Sequence, residues 1–447
     1  MSVPQALDGI RILVMEDFVV LPWASMLLGD MGAEVIRIEA PTRLVSRQFS
    51  PFPEGQAGPQ WWNESGSFDL WYRNKKSLVL NIQSPEGKEI FHDLVKISDV
   101  VASNFRSDVM ERLGLSYEEL RKLRPDLIMV NVTGFGQTGP WKNYGAFART
   151  IDGFTGLSHL TGYVDGPPVR ANATYMDMTG ALNNAQAIML AILQREQTGE
   201  GAHIDTGMYE TGVNAIGPAI LKVQQNGEIS PRRGNGHETM APHGCYKCLG
   251  KDRWVVIAVD SEEAWAGLKT TLGNPEWAES PSYNNPAGRQ EDKEVIDAQI
   301  NHWTSSQESY DVFHNLQANG VAAAPVLNAK DILLDPQYKA MGFFEQITKN
   351  IETVGTRIHQ KVPYRLSKTP GSTKMMSCFG EHNHNIVVDL LGKSEDELSL
   401  LVEQGVIFYQ PAPQEQTPPP SPDRNDLLAR NVVQIFDADY KTILGLE

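Results

Sequence analysis

Residues 1–210 alternate between two hydrophobic patterns, one typical of buried strands and one typical of amphipathic helices. The strand-like runs are rich in Ile, Val and Leu, and they lie at residues 10–14, 34–40, 99–105 and 126–136. Helix-like segments lie between these runs, at residues 23–33, 84–97 and 117–123. This alternation predicts a large α/β domain built on a parallel, doubly wound sheet of the Rossmann type.

Two of the helix starts carry recognisable capping residues. Ser84 precedes Pro85 and Glu86, which gives an N-cap, a proline at the first helical position and an acid in the first turn. Ser116 and Glu119 form a capping-box pattern, which predicts that a helix begins directly after the serine.

Beyond residue 225 the pattern changes to hairpins, polar helices and loops rich in Pro and Asn. Residues 246–259 ("YKCLGKDRWVVIAV") predict a hairpin with its turn at residues 250–252. Residues 226–337 are therefore predicted to form a smaller α+β domain inserted in the large one. The large domain then comprises residues 1–225 and 338–409.

Residues 410–447 differ in composition from the rest of the chain. They begin with "QPAPQEQTPPPSP", and such a proline-rich run is predicted to be a tether that cannot form a packed element. The stretch at 426–444 is predicted to form an amphipathic helix that docks on the body of the protein or on a partner.

Charge and cysteine content exclude several classes of function. The formal net charge is -16, from 55 acidic and 39 basic residues, which disfavours nucleic acid and anionic membrane surfaces as partners. No apolar run is long enough to span a membrane, and no secretory signal sequence is evident. The small and odd number of cysteines, three, favours the cytoplasm over an oxidising compartment.

Two short motifs resemble ligand sites but lack the context that such sites need. Residues 134–139 ("GFGQTG") match the G-x-G-x-x-G fingerprint of dinucleotide-binding proteins, but Pro140 follows and no helix pattern opens there. A glycine-rich turn is therefore favoured. Cys245 and Cys248 form one CxxC pair near His243, whereas a zinc site usually needs two such pairs, so they are predicted to be structural cysteines.

The remaining histidines do not suggest a metal centre either. His382 and His384 lie in "GEHNHN", which has too few ligands for a metal site and is predicted to be a loop. No metal ion is therefore expected in this protein.

Asp177 is a lone carboxylate within residues 170–193 ("RANATYMDMTGALNNAQAIMLAIL"), where a strand-like run becomes a helix-like run. Asp is a favourable N-cap, so one interpretation is that Asp177 caps a helix that starts directly after it. The other interpretation is chemical. A helix N-terminus keeps a carboxylate ionised, and an ionised carboxylate can attack an activated acyl group without a neighbouring base. Spacing alone leaves both interpretations open.

Residues 45–72 hold an aromatic cluster that also has two interpretations. Its members are Trp61, Trp62, Phe68, Trp71 and Tyr72. Such a cluster either borders a bulky substrate or forms part of a core, and the sequence does not decide between them.

Long stretches of the chain resemble the class III CoA-transferases, the group that contains formyl-CoA transferase and carnitine CoA-transferase. The resemblance begins at "LDGIRILVMEDFVVLPWASMLLGDMGAEVIRIEAP", continues through "RLGLSYEELRKLRPDLIMVNVTGFGQTGP" and "YMDMTGALNNAQAIMLAILQREQTGEGAHIDTGMYE", and ends at "LVEQGVI". It covers nearly all of residues 8–408 and excludes the tail. It implies an enzyme that moves CoA from an acyl-CoA donor, such as succinyl-CoA, to a carboxylic acid, with no permanently bound cofactor.

The resemblance also implies roles for individual residues. Asp177 corresponds to the family's nucleophile, which forms an aspartyl anhydride and then an aspartyl-CoA thioester. The residues expected to bind CoA are Asp17, Phe18, Val19, Val20, Arg37, Leu80, Gln83, Asn104, Phe105, Arg112 and Lys142. Among these, Arg112 is expected to pair with a CoA phosphate, whereas Gln83 and Phe105 stand where some members of the family carry Lys.

The family further implies an interlocked homodimer and two alternative functions. One alternative is a partner subunit, without a usable site of its own, in a heteromeric transferase. The other is an α-methylacyl-CoA racemase, which uses a histidine base in the segment that corresponds to residues 143–153. That segment contains no histidine, which disfavours the racemase.

Overall fold

A computed structural model provides the structure of the chain and describes residues 4–170, 174–349, 351 and 353–446. The chain divides into two compact units. The larger unit comprises Met1–Leu157, Ala171–Pro218 and Pro336–Glu447, and the smaller comprises Ser158–Arg170 and Ala219–Asp335. Nothing in the sequence pattern indicated that residues 158–170 belong with the smaller unit, and the domain boundaries drawn from the sequence stay a prediction.

The centre of the larger unit is a sheet of six parallel strands. In chain order these are β1 (Arg11–Met15), β2 (Glu34–Glu39), β3 (Lys75–Val79), β4 (Val100–Ser103), β5 (Ile128–Thr133) and β6 (Ala202–Gly207). Their order across the sheet is β3-β2-β1-β4-β5-β6. Ile12 of β1 accordingly pairs with Val35 on one side and with Val100 on the other. The predicted parallel, doubly wound sheet is confirmed.

In the part of the chain that the structure describes, five further strands form two antiparallel sheets. Three of them, β7 (His243–Lys247), β8 (Trp254–Ala258) and β9 (Ala322–Pro325), make up the sheet of the smaller unit. The other two, β10 (Phe344–Thr348) and β11 (Thr356–Gln360), form a hairpin in the larger unit.

Helices account for much of the rest of the chain. They are α1 (Val20–Asp30), α2 (Gly66–Tyr72), α3 (Pro85–Lys96), α4 (Ser107–Arg112), α5 (Tyr117–Leu123), α6 (Ala148–Phe154), α7 (Leu157–Leu160), α8 (Tyr175–Thr198), α9 (Met208–Asn214), α10 (Gly217–Asn226), α11 (Glu262–Thr271), α12 (Pro286–Glu291), α13 (Lys293–Thr304), α14 (Ser309–Ala318), α15 (Ala329–Leu334), α16 (Pro336–Met341), α17 (Glu395–Glu403), α18 (Arg424–Ala429) and α19 (Tyr440–Leu444).

Helices cover both faces of the parallel sheet because its strands are apolar on both sides. Ile12 and Val14 point into a core shared with α1 and α8. Leu13 and Met15 point into a second core, which α3, α5 and α17 complete. The continuous apolar run at residues 12–15 of β1 therefore contributes to two cores, as expected for a strand buried on both faces.

The capping signals were correct at α3 and partly correct at α5. The Oγ of Ser84 accepts a hydrogen bond from the N–H of Gly87 at 3.0 Å. The Oγ of Ser116 accepts one from the N–H of Glu119 at 3.4 Å, but the Glu119 carboxylate pairs with Lys122 at 2.7 Å. Only the serine half of the predicted capping box is thus recorded at α5.

The predicted hairpin in the smaller unit is confirmed as β7 and β8. Gly250 and Asp252 in its turn have φ angles of 103° and 53°, in the left-handed region that tight turns require. Beneath this sheet a separate core gathers Tyr246, Trp265 and Leu268 with residues of α13 and α14. The smaller α+β unit is therefore built around its own core.

The C-terminal region departs from the sequence prediction in two ways. The stretch at 426–444 forms the two short helices α18 and α19 instead of one helix, and they are separated by residues 430–439, in which Asn431 has a φ of 53°. The proline-rich run packs against the body, although it was predicted to be a tether. The carbonyl of Gln416, at the end of the short 3-10 helix Pro413–Glu415, accepts a hydrogen bond from Trp61 Nε1 at 3.1 Å, because the last carbonyl groups of a helix have no partner within it. Among the described residues, no helix combines the length and the apolar content needed to cross a bilayer.

Candidate active site

Most of the residues expected to bind CoA follow the carboxyl ends of parallel strands. Asp17 comes shortly after β1 and Asn104 directly after β4, and these two strands are neighbours in the sheet. The connections from β1 and from β4 run to opposite sides of this point, so it is the topological switch point of the sheet. Open α/β sheets bind ligands in the crevice that forms there.

Asn104 fixes the backbone of Asp17 across the switch point. Its Oδ1 accepts a hydrogen bond from the Asp17 N–H at 2.9 Å, and its Nδ2 donates to the Asp17 carbonyl at 2.7 Å. The Asp17 carboxylate is also occupied, since it accepts hydrogen bonds from Arg43 Nε and Ser46 Oγ, both at 2.9 Å. Asp17 is therefore held in place by protein groups on both its backbone and its side chain.

The next three residues lead into α1. Phe18 has a φ of 63°, Val19 occupies the N-cap position without a side-chain cap, and Val20 is the first residue of the helix. The helix thus begins three residues earlier than residue 23, where the sequence pattern placed it. A Cβ atom on Gly180 would lie 3.0 Å from Val20 Cγ2, so the glycine permits a close approach of α1 to α8.

Asp177 lies in the first turn of α8 and is 8% exposed. The helix begins at Tyr175 with Thr174 in the N-cap position, so Asp177 is the third helical residue and not the cap. The capping interpretation is therefore wrong as to position, although the carboxylate still lies at the positive end of the helix. Residues 171–173 of the preceding strand-like run lie outside the described residues. Gly180, one turn further along α8, connects this site to the loop at residues 17–20.

Arg37 is buried in a network of protein charges beneath the site. Its guanidinium forms an ion pair with Glu39, lies 3.7 Å from Asp17 and sits 4.5 Å from the ring centroid of Tyr72. Burial lowers the pKa of Arg37, but the combined attraction of nearby groups, above all Glu39, outweighs this effect and leaves the pKa raised. The Arg37 side chain is only 6% exposed, and the groups that it contacts are side chains of the protein.

Leu80 and Gln83 follow β3 and are placed in different environments. Leu80 is fully buried in the core beneath the sheet, and its backbone bridges to Ile407. Gln83 is exposed, and its N–H donates to Asn81 Oδ1 at 3.2 Å. Only Gln83 of this pair presents its side chain to solvent.

Three of the expected residues lie near α4: Phe105 precedes it, Arg112 ends it, and Lys142 lies beside its start. Phe105 is partly buried against the core, whereas Arg112 and Lys142 are exposed. Arg112 Nε contacts Asp108 Oδ2 at 3.0 Å within the same helix. Ser107 Oγ donates to the carbonyl of Lys142 at 2.7 Å, which brings the loop after β5 next to the start of α4.

The aromatic cluster at residues 61–72 is mostly core. Trp61, Trp62, Phe68 and Tyr72 are each less than 8% exposed. Phe68 and Tyr72 stack with centroids 4.2 Å apart and an interplanar angle of 9°. The substrate-lining interpretation is thus not needed for these four side chains.

Two residues that the sequence interpretation did not select contact the loop at residues 17–20. The hydroxyl of Tyr72 donates towards the Phe18 carbonyl, and Ser46 Oγ accepts from the Phe18 N–H. Tyr72 was noted only as an aromatic residue, and no local pattern marks Ser46. Both contacts arise from folding between distant parts of the chain.

The segment "GFGQTG" forms the glycine-rich turn that the sequence favoured. In "GFGQTG", Gly136 and Gly139 have φ angles of 79° and 83°, and the Gln137 N–H donates to the Asp205 carboxylate at 2.9 Å. The next helix along the chain begins only at Ala148, so the third glycine of the motif does not open a helix as the dinucleotide fingerprint requires. The segment is a glycine-rich turn closed by a protein carboxylate.

The CxxC pair lies within and just after β7, and Cys248 belongs to the core of the smaller unit. Cys245 and Cys248 are both free thiols, and Cys248 is 1% exposed. Burial raises the pKa of the Cys248 thiol to about 11, so it stays protonated at neutral pH. In the part of the chain that the structure describes, no group of three or more His, Cys, Asp or Glu side chains has metal-binding geometry.

The pair His382 and His384 was expected to lie in a loop, but this expectation is wrong for His384. His384 lies in a helical segment that continues into the π-helix Asn385–Leu390. Its Nε2 contacts Glu395 Oε1 at 2.6 Å, and this hydrogen bond raises the pKa of the imidazole. Ile386 and Val387 anchor the helical segment in the core, which explains why the polar residues 383–385 are helical.

Comparison with known proteins identifies the class to which this fold and crevice belong. The sequence profile of CoA-transferase family III matches residues 7–383. The chain is 32% identical over 405 residues to a protein of Chloroflexus aurantiacus named succinyl-CoA–D-citramalate CoA-transferase. That alignment covers 90% of this chain and 98% of the relative. It is 32% identical over 408 residues, with the same coverage, to the succinyl-CoA–L-malate CoA-transferase beta subunit of that organism.

The fold of this chain also matches a solved structure of the same family. A CAIB/BAIF family protein from Brucella suis matches with a TM-score of 0.77 and 27% identity, over 87% of this chain and 100% of that one. The chain is therefore a family member in both sequence and fold. It belongs to CoA-transferase family III, an enzyme family whose substrates are CoA thioesters, which confirms the resemblance noted in the sequence.

Proposed function

We propose that this protein transfers CoA from an acyl-CoA donor to a carboxylic acid, with Asp177 as the nucleophile. The observation that carries the proposal is the position of Asp177, a nearly buried carboxylate in the first turn of the 24-residue helix α8. The first N–H groups of a helix have no partner within the helix, and the helix dipole is positive there. Both effects favour the ionised carboxylate that the reaction needs.

The first half of the proposed reaction releases the donor acid. A carboxylate oxygen of Asp177 attacks the thioester carbonyl, the C–S bond breaks, and its electron pair leaves on sulfur as the CoA thiolate. This step forms a mixed anhydride between Asp177 and the donor acyl group. The thiolate then attacks the aspartyl carbonyl, the C–O bond breaks, and the donor leaves as a carboxylate.

The second half runs the same steps with the acceptor. The acceptor carboxylate attacks the aspartyl-CoA thioester, which releases the thiolate and forms a second anhydride. The thiolate attacks the acceptor carbonyl, so that the Asp177 carboxylate is restored and the new acyl-CoA leaves. Each step exchanges one anionic nucleophile for one anionic leaving group. No general base is required, which agrees with the absence of histidine from residues 143–153.

The CoA moiety is proposed to lie along the switch-point crevice. The loop at residues 17–20 connects this crevice to the start of α8 through the contact between Val20 and Gly180. Arg112 and Lys142 are exposed cations near the same edge, and a guanidinium is well suited to a phosphate. Asn104, by contrast, contributes by holding Asp17.

We propose succinyl-CoA as the donor and a small carboxylic acid as the acceptor. Relatives named for succinyl-CoA include the citramalate and malate enzymes described above and a succinyl-CoA:mesaconate CoA-transferase of Haloarcula marismortui, 34% identical over 335 residues. A relative named for formyl-CoA and oxalate is 29% identical over 423 residues. The acceptor is therefore to be found by testing a panel of acids.

The proposed assembly is an interlocked homodimer. An exposed apolar stripe on α8 supports an interface there, and it consists of Leu182, Met189, Leu190 and Leu193. Met189, Leu190 and Leu193 lie seven, eight and eleven positions after Leu182, so the four share one face of the helix. Contiguous exposed apolar faces are typical of interfaces. Because one relative is named as a beta subunit, light scattering on the purified chain should accompany the activity assay.

The decisive experiment traps the acyl-enzyme. The purified chain is incubated with succinyl-CoA, treated with borohydride or hydroxylamine, and digested for mass spectrometry. We expect a mass change on the peptide that contains Asp177, and no CoA transfer or adduct in Asp177→Ala. Asp311→Asn, which changes an acid in the first turn of α14, is the matched control and should retain both.

Three other outcomes contradict parts of the proposal. Turnover that survives Asp177→Ala would show that Asp177 is not the nucleophile. Activity that appears only after a second polypeptide is added would show that the enzyme is heteromeric. Deuterium exchange at the acyl α-carbon without CoA transfer indicates the racemase.

A further inference from the structure

The backbone of Phe18 adopts a conformation that its side chain does not favour. Its φ of 63° lies in the left-handed region, which glycine occupies readily and bulky residues occupy rarely. Such a conformation persists only where the surrounding structure determines it, and it is most often found at ligand sites. The groups that hold Phe18 are therefore worth identifying.

Both backbone groups of Phe18 are bound by side chains. Its N–H donates to Ser46 Oγ at 3.0 Å, and its carbonyl accepts from the Tyr72 hydroxyl at 3.1 Å. The same hydroxyl lies 2.8 Å from Ser46 Oγ, so its one hydrogen is shared between two acceptors. Ser46 in turn donates to Asp17 Oδ1 at 2.9 Å. We call these two side chains, Ser46 and Tyr72, the Phe18 clamp.

The Tyr72 side chain of the clamp is tightly packed and stays a hydrogen-bond donor. Tyr72 is 1% exposed and stacks on Phe68, and the guanidinium of Arg37 sits 4.5 Å from its ring centroid. Burial raises the pKa of the Tyr72 hydroxyl well above its usual value, in spite of the opposing effect of Arg37. The hydroxyl therefore remains protonated at any physiological pH.

The clamped loop connects the crevice to the proposed nucleophile. Phe18 lies between Asp17, which Asn104 holds at the switch point, and Val20, which touches Gly180 of α8. The Phe18 ring makes an edge contact with Phe147 at 5.3 Å between centroids. A change in the backbone at Phe18 would consequently move the start of α1 relative to the turn of α8 that follows Asp177.

We propose that Tyr72 and Ser46 are positioning residues for acyl-CoA, which hold the loop at residues 17–20 in the conformation that receives the thioester. This proposal rests on the proposed function. Neither side chain is expected to touch the reacting atoms, because both are buried behind the loop. They act by fixing the Phe18 backbone, so their loss should weaken CoA binding and misplace the thioester.

The test compares Tyr72→Phe and Ser46→Ala with matched controls in which a buried hydroxyl is removed elsewhere. Tyr246→Phe removes the hydroxyl that donates to Asp297 at 2.7 Å, and Ser98→Ala removes one that donates to the Leu94 carbonyl at 2.7 Å. Calorimetry with CoA itself gives Kd, and steady-state assays with succinyl-CoA give kcat and KM. Amide hydrogen exchange reports on residues 16–20, and thermal unfolding gives Tm.

We expect Tyr72→Phe to raise the Kd for CoA about tenfold, the size of effect expected when one buried hydrogen bond is lost. Its kcat should fall as well, and exchange should increase at residues 16–20. The controls should lower Tm to a similar extent without changing Kd, kcat or exchange in that segment. Ser46→Ala should show the same changes as Tyr72→Phe. It replaces Tyr72→Phe in the comparison if the tyrosine variant does not fold.

Two results would overturn the proposal, and they are distinguishable. If the clamp variants bind CoA and turn over like the controls, the positioning role is wrong while the transferase stands. If the unaltered protein does not bind CoA, the proposed function fails, and the positioning role fails with it.

Discussion

The side chain of Asn104 binds both backbone groups of Asp17, by accepting from its N–H at 2.9 Å and donating to its carbonyl at 2.7 Å. The two residues follow neighbouring parallel strands, so this pair of hydrogen bonds closes the loops on either side of the switch point. The loop at residues 17–20 is consequently fixed from two directions, by Asn104 on one side and by the Phe18 clamp on the other.

Replacing Asn104 should weaken both the fold and ligand binding. Asn104→Ala leaves two backbone groups of Asp17 without a partner, so we expect a loss of about 1–3 kcal/mol in the free energy of unfolding and a higher Kd for CoA. Asn104→Asp keeps the acceptor and loses the donor, so its values should lie between those of Ala and the unaltered protein. Urea unfolding and calorimetry measure the two quantities.

A matched control separates this effect from a general loss of an amide. Asn319→Ala removes an exposed amide that donates to the Asn315 carbonyl at 3.0 Å, at the end of α14. It should change the free energy of unfolding by less than about 0.5 kcal/mol and leave Kd unchanged. If Asn104→Ala behaves in the same way, the loop does not depend on this side chain.

Arg112 is expected to affect CoA binding without affecting stability. Its ion pair with Asp108 is exposed, so Arg112→Ala should cost less than about 0.5 kcal/mol in the free energy of unfolding. Loss of a guanidinium–phosphate contact should raise the Kd for CoA about tenfold at low salt and by less at high salt. The control is Arg121→Ala, which breaks a similar exposed pair with Glu118 in α5. Equal Kd values for CoA in the two variants would show that Arg112 does not bind CoA.

Glu39 should make the stability of the larger unit depend on acid pH. Burial raises the pKa of this carboxyl, but the attraction of Arg37 and Arg47 outweighs burial and lowers the pKa from 4.5 to about 2. A group whose pKa is lower in the folded state stabilises the protein above its unfolded pKa. Its contribution, about 3 kcal/mol, is therefore complete above pH 4.5 and is lost as the pH falls towards 2.

The measurement is the difference in the free energy of unfolding between the unaltered protein and Glu39→Gln. The variant leaves two buried cations short of a partner and should be less stable by about 3–5 kcal/mol at about pH 6, with a smaller difference at about pH 3. Glu345→Gln, which breaks a partly exposed pair with Lys361, should cost less than about 1 kcal/mol at either pH. A difference for Glu39→Gln that does not change with pH contradicts the assignment.

Local signals explain the parts of the fold that the sequence predicted well. Ser84 caps α3 because its hydroxyl reaches a backbone group only three residues away. The start of α1 at Val20 was missed because Val19 caps the helix without a side-chain hydrogen bond. At α8, Thr174 and Asp177 are both residue types that favour an N-cap, and only the structure shows that the helix begins after the first of them.

Contacts between distant residues explain what the sequence could not predict about the site. Ser46 and Tyr72 meet Phe18 across more than two dozen residues, and nothing adjacent to either one marks the contact. Leu80 follows a strand end, where ligand-binding residues are common, yet a bridge to Ile407 places it in the core. The loops after β1 and β4 could be located because strand ends follow from the hydrophobic pattern, whereas the side chains that hold these loops could not.

The last prediction concerns the C-terminal region, which lies beyond the part of the chain matched by the family. Residues 410–422 contact the body through buried or partly buried groups. The Trp61 Nε1 donates to the Gln416 carbonyl, and the Ala57 N–H donates to Ser421 Oγ at 3.1 Å. Residues 424–446 dock through exposed charges, since Arg424 and Lys441 both contact the Glu54 carboxylate.

Two truncations should therefore differ in their effect on stability. Removal of residues 431–447 breaks the exposed pair between Lys441 and Glu54, keeps the one between Arg424 and Glu54, and should cost less than about 1 kcal/mol in the free energy of unfolding. Removal of residues 410–447 also leaves Trp61 Nε1 buried without a partner, which should add about 1–3 kcal/mol. It should also increase amide hydrogen exchange at residues 51–64. Equal stability of the two truncated proteins would mean that the proline-rich segment is a tether after all, because only a packed segment can make the longer deletion more costly than the shorter one.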